Sequence, residues 1–138
     1  MRGPVEITAF APATVANLGP GLDVLGLALA APGDRVTARL SDGRGVTIAK
    51  VEGDGGALSL DPEKNTAGIA AAATLARAGI STGVALTLHK GMPIGSGLGS
   101  SAASAAAAAY AVNLLIGSPL RKAELVGPCL AAEAAVSG

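Results

Sequence analysis

Pro93-Ile94-Gly95-Ser96-Gly97-Leu98-Gly99-Ser100-Ser101-Ala102-Ala103-Ser104 is the stretch on which the fold turns. It follows Val84–His89, whose apolar residues alternate at the period of a strand. It runs into alanines that read as a helix to about Leu115, closed by Gly117. Ser100 or Ser101 is the expected N-cap of that helix. Three alternating glycines remove the Cβ atoms that would hold backbone N–H groups away from an anion. A helix N-terminus adds unpaired donors and a partial charge of about +0.5. A serine hydroxyl there can reach a phosphate or a Mg²⁺ ion. The spacing therefore suits an oligophosphate. It lacks the Gly-Lys-Ser/Thr of a Walker A loop, and its third glycine comes one residue too early for Gly-x-Gly-x-x-Gly, so neither a P-loop NTPase nor a Rossmann site is implied. The simpler alternative is a glycine loop that only lets strand and helix approach closely.

Upstream, Val5–Phe10 alternates as a half-buried strand, and Ala11–Asp23, with two prolines and two glycines, reads as a structured loop. Val24–Ala31, Asp34–Leu40 and Gly45–Val51 read as three further strands, the last two separated by the turn Ser41–Arg44. Asn65 or Thr66 caps a helix over Ala67–Ala78, with Gly79 at its C′ position. Downstream, Ser118-Pro119 reads as N-cap and N1 of a last helix. Gly127-Pro128 lies inside it. A mid-helix proline costs about 3 kcal/mol, so a kink or break is expected at Gly127. Strands come first and helices later, giving an α+β domain over residues 1–138 with helices on one face of the sheet.

Composition narrows the function. The 138 residues are half hydrophobic, 14% charged and of zero net charge, with 31 alanines, one Phe, one Tyr and no Trp. Ten basic against ten acidic residues give no electrostatic reason for a nucleic-acid or anionic-membrane partner. An alanine core closes only if helices lie close to the sheet. One cysteine, Cys129, excludes an intrachain disulfide, and one histidine, His89, excludes His-pair metal sites. The longest apolar stretch, Ser101–Ile116, is too short and too alanine-rich to span a membrane. Met1–Pro4 leads directly into a strand and does not read as a signal or transit peptide.

The loop Pro-x-Gly-Ser-Gly-Leu-Gly-Ser-Ser-Ala-Ala resembles the phosphate loop of the GHMP kinases, the superfamily of galactokinase, homoserine kinase and mevalonate kinase. Ala11–Asp23 resembles the N-terminal signature of the homoserine kinase family, and Asn65–Ala71 its helix-opening Asn motif. The likeness runs from about Ile7 to Gly138. It implies the N-terminal ATP-binding domain of such a kinase, a fold shared with the second domain of a ribosomal small-subunit protein, with the family's C-terminal domain absent. The implied reaction is transfer of the γ-phosphoryl group of ATP to the hydroxyl of L-homoserine, on the route to threonine. The alternative is an inactive truncated chain that keeps the fold and nucleotide binding.

By the same resemblance, Pro93, Ile94, Gly95, Ser96, Gly97, Leu98, Gly99, Ser100, Ser101, Ala102 and Ala103 cradle ATP phosphates. Ser101 and Glu133 hold Mg²⁺. Asn17 and Asp23 face homoserine, and Asn65 and Lys90 lie near the adenine and its sugar. Asn17, Ser101 and Glu133 are then the catalytic residues. No dedicated base is evident. Each has a plainer reading: helix caps for Ser100, Ser101 and Asn65, turn residues for Asn17 and Asp23, a solvated lysine for Lys90, a surface carboxylate for Glu133. The resemblance implies cytoplasm or plastid stroma, and leaves open a homodimer of the full-length protein. It departs at Gly127-Pro128, where the family's helix is continuous and a kink would move Glu133 away from the loop.

Overall fold

The computed structural model describes residues 6–16, 26–93 and 98–137. The strands are β1 (Glu6–Ala16), β2 (Gly26–Ser41), β3 (Gly45–Glu52) and β4 (Gly83–His89). The helices are α1 (Thr66–Ala78), α2 (Ser100–Leu115) and α3 (Val126–Ser137), with 3₁₀ turns at Pro62–Lys64 and Lys122–Leu125. The sheet order is β1-β2-β4-β3. β3 and β4 are parallel, joined through α1, and the other pairs are antiparallel.

Strand periodicity sorts the two faces. Ile7 faces Ala38 and Ala38 faces Leu86; Ala9 faces Val36 and Val36 faces Leu88. These rows carry the core under the helices. The opposite face holds Thr8, bonded to Thr37 hydroxyl to hydroxyl at 2.7 Å, and Phe10 beneath the Arg35 guanidinium at 5.1 Å. The helices thus cover one face, as the α+β reading expects. Ala103, Ala107, Ala108, Ala111 and Val112 of α2 lie in the core against the sheet, while Ala105 and Ala109 lie with Ala70 and Ala132 of α1 and α3. A helix apolar on nearly every side belongs in the interior, and methyl-sized side chains set α2 close to both neighbours.

Several boundaries differ from the sequence reading. The loop expected over Ala11–Asp23 is strand as far as Ala16. Its Pro12 lacks an N–H, but β1 is an edge strand and its register shifts between Pro12 and Thr14, which are the places a strand tolerates proline. The two strands expected over Val24–Ala31 and Asp34–Leu40 are one, β2, running through a cis Ala31-Pro32 bond. The last helix does not begin at Ser118-Pro119. Ser118 sits at φ 59°, and a 3₁₀ turn changes to α-helix at Val126. Gly127, the expected site of a kink or break, lies inside α3, one residue after the helix type changes at Val126. Pro128 lies in the first turn of α3, where its missing N–H would have had no helical partner.

Candidate functional site

The glycine loop leaves β4 and enters α2 over a buried ion pair. Asp34, fully buried on β2, accepts a hydrogen bond from Lys90 Nζ at 2.6 Å. Its other oxygen accepts the Gly91 N–H at 2.7 Å and, more weakly, the Met92 N–H at 3.3 Å. Ser100 Oγ, at the start of α2, donates to the same carboxylate at 2.9 Å. Lys90 also donates to the Ser100 carbonyl at 3.1 Å and to Ser104 Oγ at 2.5 Å. An ammonium has three protons, and all three are engaged inside the protein. Lys90 is thus neither a solvated strand-end lysine nor free to reach a nucleotide with its charge; it braces the loop from within. Nothing about this carboxylate was singled out in the sequence.

At the outer end of the loop, Thr14 N–H donates to the Leu98 carbonyl at 2.8 Å. Gly99 then takes the left-handed conformation, φ 72°, as N-cap of α2, and no side chain caps the helix. The serine cap expected there is absent because both hydroxyls are turned elsewhere, Ser100 to Asp34 and Ser101 to Glu133. At Gly99 a Cβ would run into Thr14 Oγ1, so any other residue needs that side chain to turn away. Pro93 and Ala102 are exposed, Leu98 and Ser100 half-buried, and Ala103 is in the core.

Ser101 Oγ, exposed at the surface, donates to Glu133 Oε1 at 3.0 Å, with Oε2 at 3.3 Å. The change of helix type before Val126 has not carried Glu133 away from the loop. The Ser101 carbonyl accepts from Thr66 Oγ1 at 3.0 Å, so the first turns of α1 and α2 touch. Asn65 caps α1 through Oδ1 to the Ala67 N–H and donates from Nδ2 to the Ser59 carbonyl, both at 3.0 Å. One N–H and one lone pair of its amide are thus engaged within the chain, as the N-cap reading expects. Beside Glu133, burial pushes the Cys129 thiol above its ordinary pKa, and the Glu133 charge adds to the shift. Asn17, Asp23, Ile94, Gly95, Ser96 and Gly97 lie outside the described residues.

Among the described residues no three His, Cys, Asp or Glu side chains gather to hold a metal. Ser101 and Glu133 contribute one hydroxyl and one carboxylate, hard oxygens of the kind Mg²⁺ takes. The hydroxyl and carboxylate that the described residues bring together fit a Mg²⁺ whose other ligands are phosphate oxygens and water.

Comparison with known proteins identifies the family and the fold. The family model described as the GHMP kinases N terminal domain matches residues 65–138. The chain is 54% identical to a homoserine kinase of Arabidopsis thaliana over 97% of its own length and 37% of that protein's. It superposes on the crystal structure of homoserine kinase from Cytophaga hutchinsonii with a TM-score of 0.95 at 46% identity, covering all of this chain and 44% of that one. A mevalonate kinase of Methanococcus jannaschii shares the fold, with a TM-score of 0.72 at 20% identity over 98% of this chain and 48% of the other. The chain spans about two-fifths of the length of the homoserine kinases it matches.

Proposed function

The chain belongs to the GHMP kinases, and from that premise we propose that it is the ATP-binding part of a homoserine kinase, a transferase that moves the γ-phosphoryl group of ATP to the hydroxyl of L-homoserine. The observation that carries the reading is the Ser101–Glu133 hydrogen bond at 3.0 Å at the mouth of a glycine loop. A hydroxyl and a carboxylate held together beside a helix start are what a Mg²⁺-nucleotide needs, and a purely structural glycine turn needs neither.

In this reading Pro93–Ala103 wraps the phosphates, with backbone N–H groups between the proline and Ala103 as donors, and the positive end of α2 faces the β- and γ-phosphates. Ser101 and Glu133 would hold Mg²⁺, which when bound neutralises charge on the transferring phosphoryl group. Asn17 and Asp23 are assigned to the acceptor: a carboxylate pairs with the homoserine ammonium, and an amide orients its hydroxyl. Asn65 and Lys90 belong to the nucleotide site as supports, one fixing the first turn of α1 and the other the base of the loop. Positioning and charge neutralisation do most of the work in such a transfer, so the lack of a dedicated base is no obstacle.

The test is calorimetric titration of the 138-residue chain with ATP and Mg²⁺, followed by ADP release with homoserine, mevalonate and galactose in parallel. Binding of ATP that weakens at least tenfold in Ser101→Ala and Glu133→Gln supports the site. Because the chain spans two-fifths of its relatives, it is expected to bind without turning over. A full-length protein carrying this sequence should then prefer homoserine. Absence of ATP binding by the folded chain, or equal binding by both variants, overturns the reading.

A further inference from the structure

We propose that the buried Asp34–Lys90 pair is a positioning clamp that sets both ends of the glycine loop from one point. One Asp34 oxygen receives the Gly91 and Met92 N–H groups, where the loop begins. The other receives Ser100 Oγ and Lys90 Nζ, where the loop ends and α2 begins. Lys90 closes the circuit through the Ser100 carbonyl and Ser104 Oγ, one turn further along α2. Residues 91 and 100, nine apart in sequence, are thereby held to a single carboxylate.

The two charges are where cross-strand pairing puts them. β2 and β4 pair Val36 with Leu88 and Arg35 with His89. One more step of that antiparallel register brings Asp34 opposite Lys90, on the face that carries Val36 and Leu88 into the core. A buried ion pair is seldom retained for stability alone, because apolar residues of similar volume serve as well or better. This pair does something apolar residues cannot: it supplies acceptors to the two N–H groups and the hydroxyl that anchor the loop. Gly91 fits the same purpose. A Cβ there would run into the Gly33 carbonyl, so the loop base has room only for a bare backbone beside Asp34.

The functional consequence rests on the reading of Pro93–Ala103 as a phosphate loop; the clamp itself does not. The test uses the 138-residue chain as Asp34→Leu/Lys90→Met, which removes both charges together and leaves neither unpaired. Amide hydrogen exchange is followed by NMR. Exchange at Gly91, Met92 and Ala103, whose N–H donates to the Gly99 carbonyl, is expected to rise at least tenfold relative to α1 and β4. A merely structural pair would leave exchange at 91–92 moving in step with the rest of the molecule, and that result overturns the proposal. Ser100→Ala carries the same test if the double variant does not fold. It removes only the hydroxyl that ties α2 to Asp34, and it is expected to raise exchange at Gly91 and Met92 about threefold; no change there overturns the clamp. Titration with ATP and Mg²⁺ then separates the two readings. Unclamped chains that exchange faster and bind ATP at least tenfold more weakly than the parent support both. Faster loop exchange in a protein whose parent does not bind ATP keeps the clamp and removes the nucleotide site.

Discussion

Replacing Gly99 with alanine probes the point where the loop enters α2. Gly99 holds φ at 72°, and an alanine kept in that left-handed region costs about 1–2 kcal/mol. A second cost is steric. The new methyl would meet Thr14 Oγ1, whereas Thr14 Cβ stands 3.7 Å away in ordinary contact. The clash is therefore with one hydroxyl oxygen, and turning the Thr14 side chain off its rotamer relieves it for about 1 kcal/mol. Gly99→Ala should lose about 2–3 kcal/mol in urea unfolding, a large share of the stability of a domain this size. Thr14 is exposed, so Thr14→Ala alone should change stability by less than about 0.5 kcal/mol. In the double variant the oxygen is gone and only the backbone strain remains. It should lose about 1–2 kcal/mol, giving a coupling of about 1 kcal/mol between two sites 85 residues apart. Additive losses, or a Gly99→Ala loss below about 0.5 kcal/mol, would refute the argument that this glycine is fixed by both its φ and its neighbour.

Asn113→Ala should lose about 2 kcal/mol in urea unfolding, because Asn113 bonds both the carbonyl and the N–H of Leu120, at 2.8 and 3.1 Å, and leaves them wanting. Glu133→Gln should speed alkylation of Cys129 near pH 8, since removing a negative charge lowers the thiol pKa that Glu133 helps to raise. An unchanged labelling rate would contradict that proximity. The Leu58 and Gly56 N–H groups hold the Asp54 carboxyl below its ordinary 3.8. Its contribution to the 54–58 turn is then complete above pH 3.8 and is lost as pH falls through the lower folded value. Amide exchange at Leu58, followed by NMR, should show the turn intact at pH 5 and loosened only in stronger acid.

Most of the scaffold was legible because local signals agreed with tertiary ones. Val84–His89 alternates and is β4 but for Gly83; Asn65, the alanines and Gly79 mark α1 to within one residue. The errors came where the chain does something only its neighbours explain. Pro12 reads as a strand-breaker until β1 is known to lie at the edge of the sheet. Ser100 and Ser101 read as caps until Asp34 and Glu133 are known to compete for their hydroxyls. The clamp had a signal that went unread. Counting by twos from Val36 and Ala38 puts Asp34 on the core face of β2, and counting by twos from Leu86 and Leu88 puts Lys90, one residue past the end of β4, on the same face. Two opposite charges at buried positions of strands have to find each other, and this parity was open to inspection in the sequence. The Ser101–Glu133 contact had no such periodic signal, because the residues lie 32 apart on separate helices, and only the family resemblance paired them.

The alanine content, which at first limits how much apolar area the core can bury, is also what assembles the site. Ala103, Ala107 and Ala111 let α2 lie against the sheet, and Ala105 and Ala109 let α1 and α3 lie against α2. That closeness brings Thr66 of α1 within 3.0 Å of the Ser101 carbonyl, Glu133 of α3 within 3.0 Å of the Ser101 hydroxyl, and Ser104 within reach of Lys90. A core of leucines in the same places would hold the helices apart at the usual 8–10 Å or more, and side chains as short as Thr66 and Ser101 could not meet. The three contacts that define the site are thus consequences of small residues packed in the core. Enlarging one of them, as in Ala105→Leu, should loosen the serine–glutamate pair before it unfolds the domain.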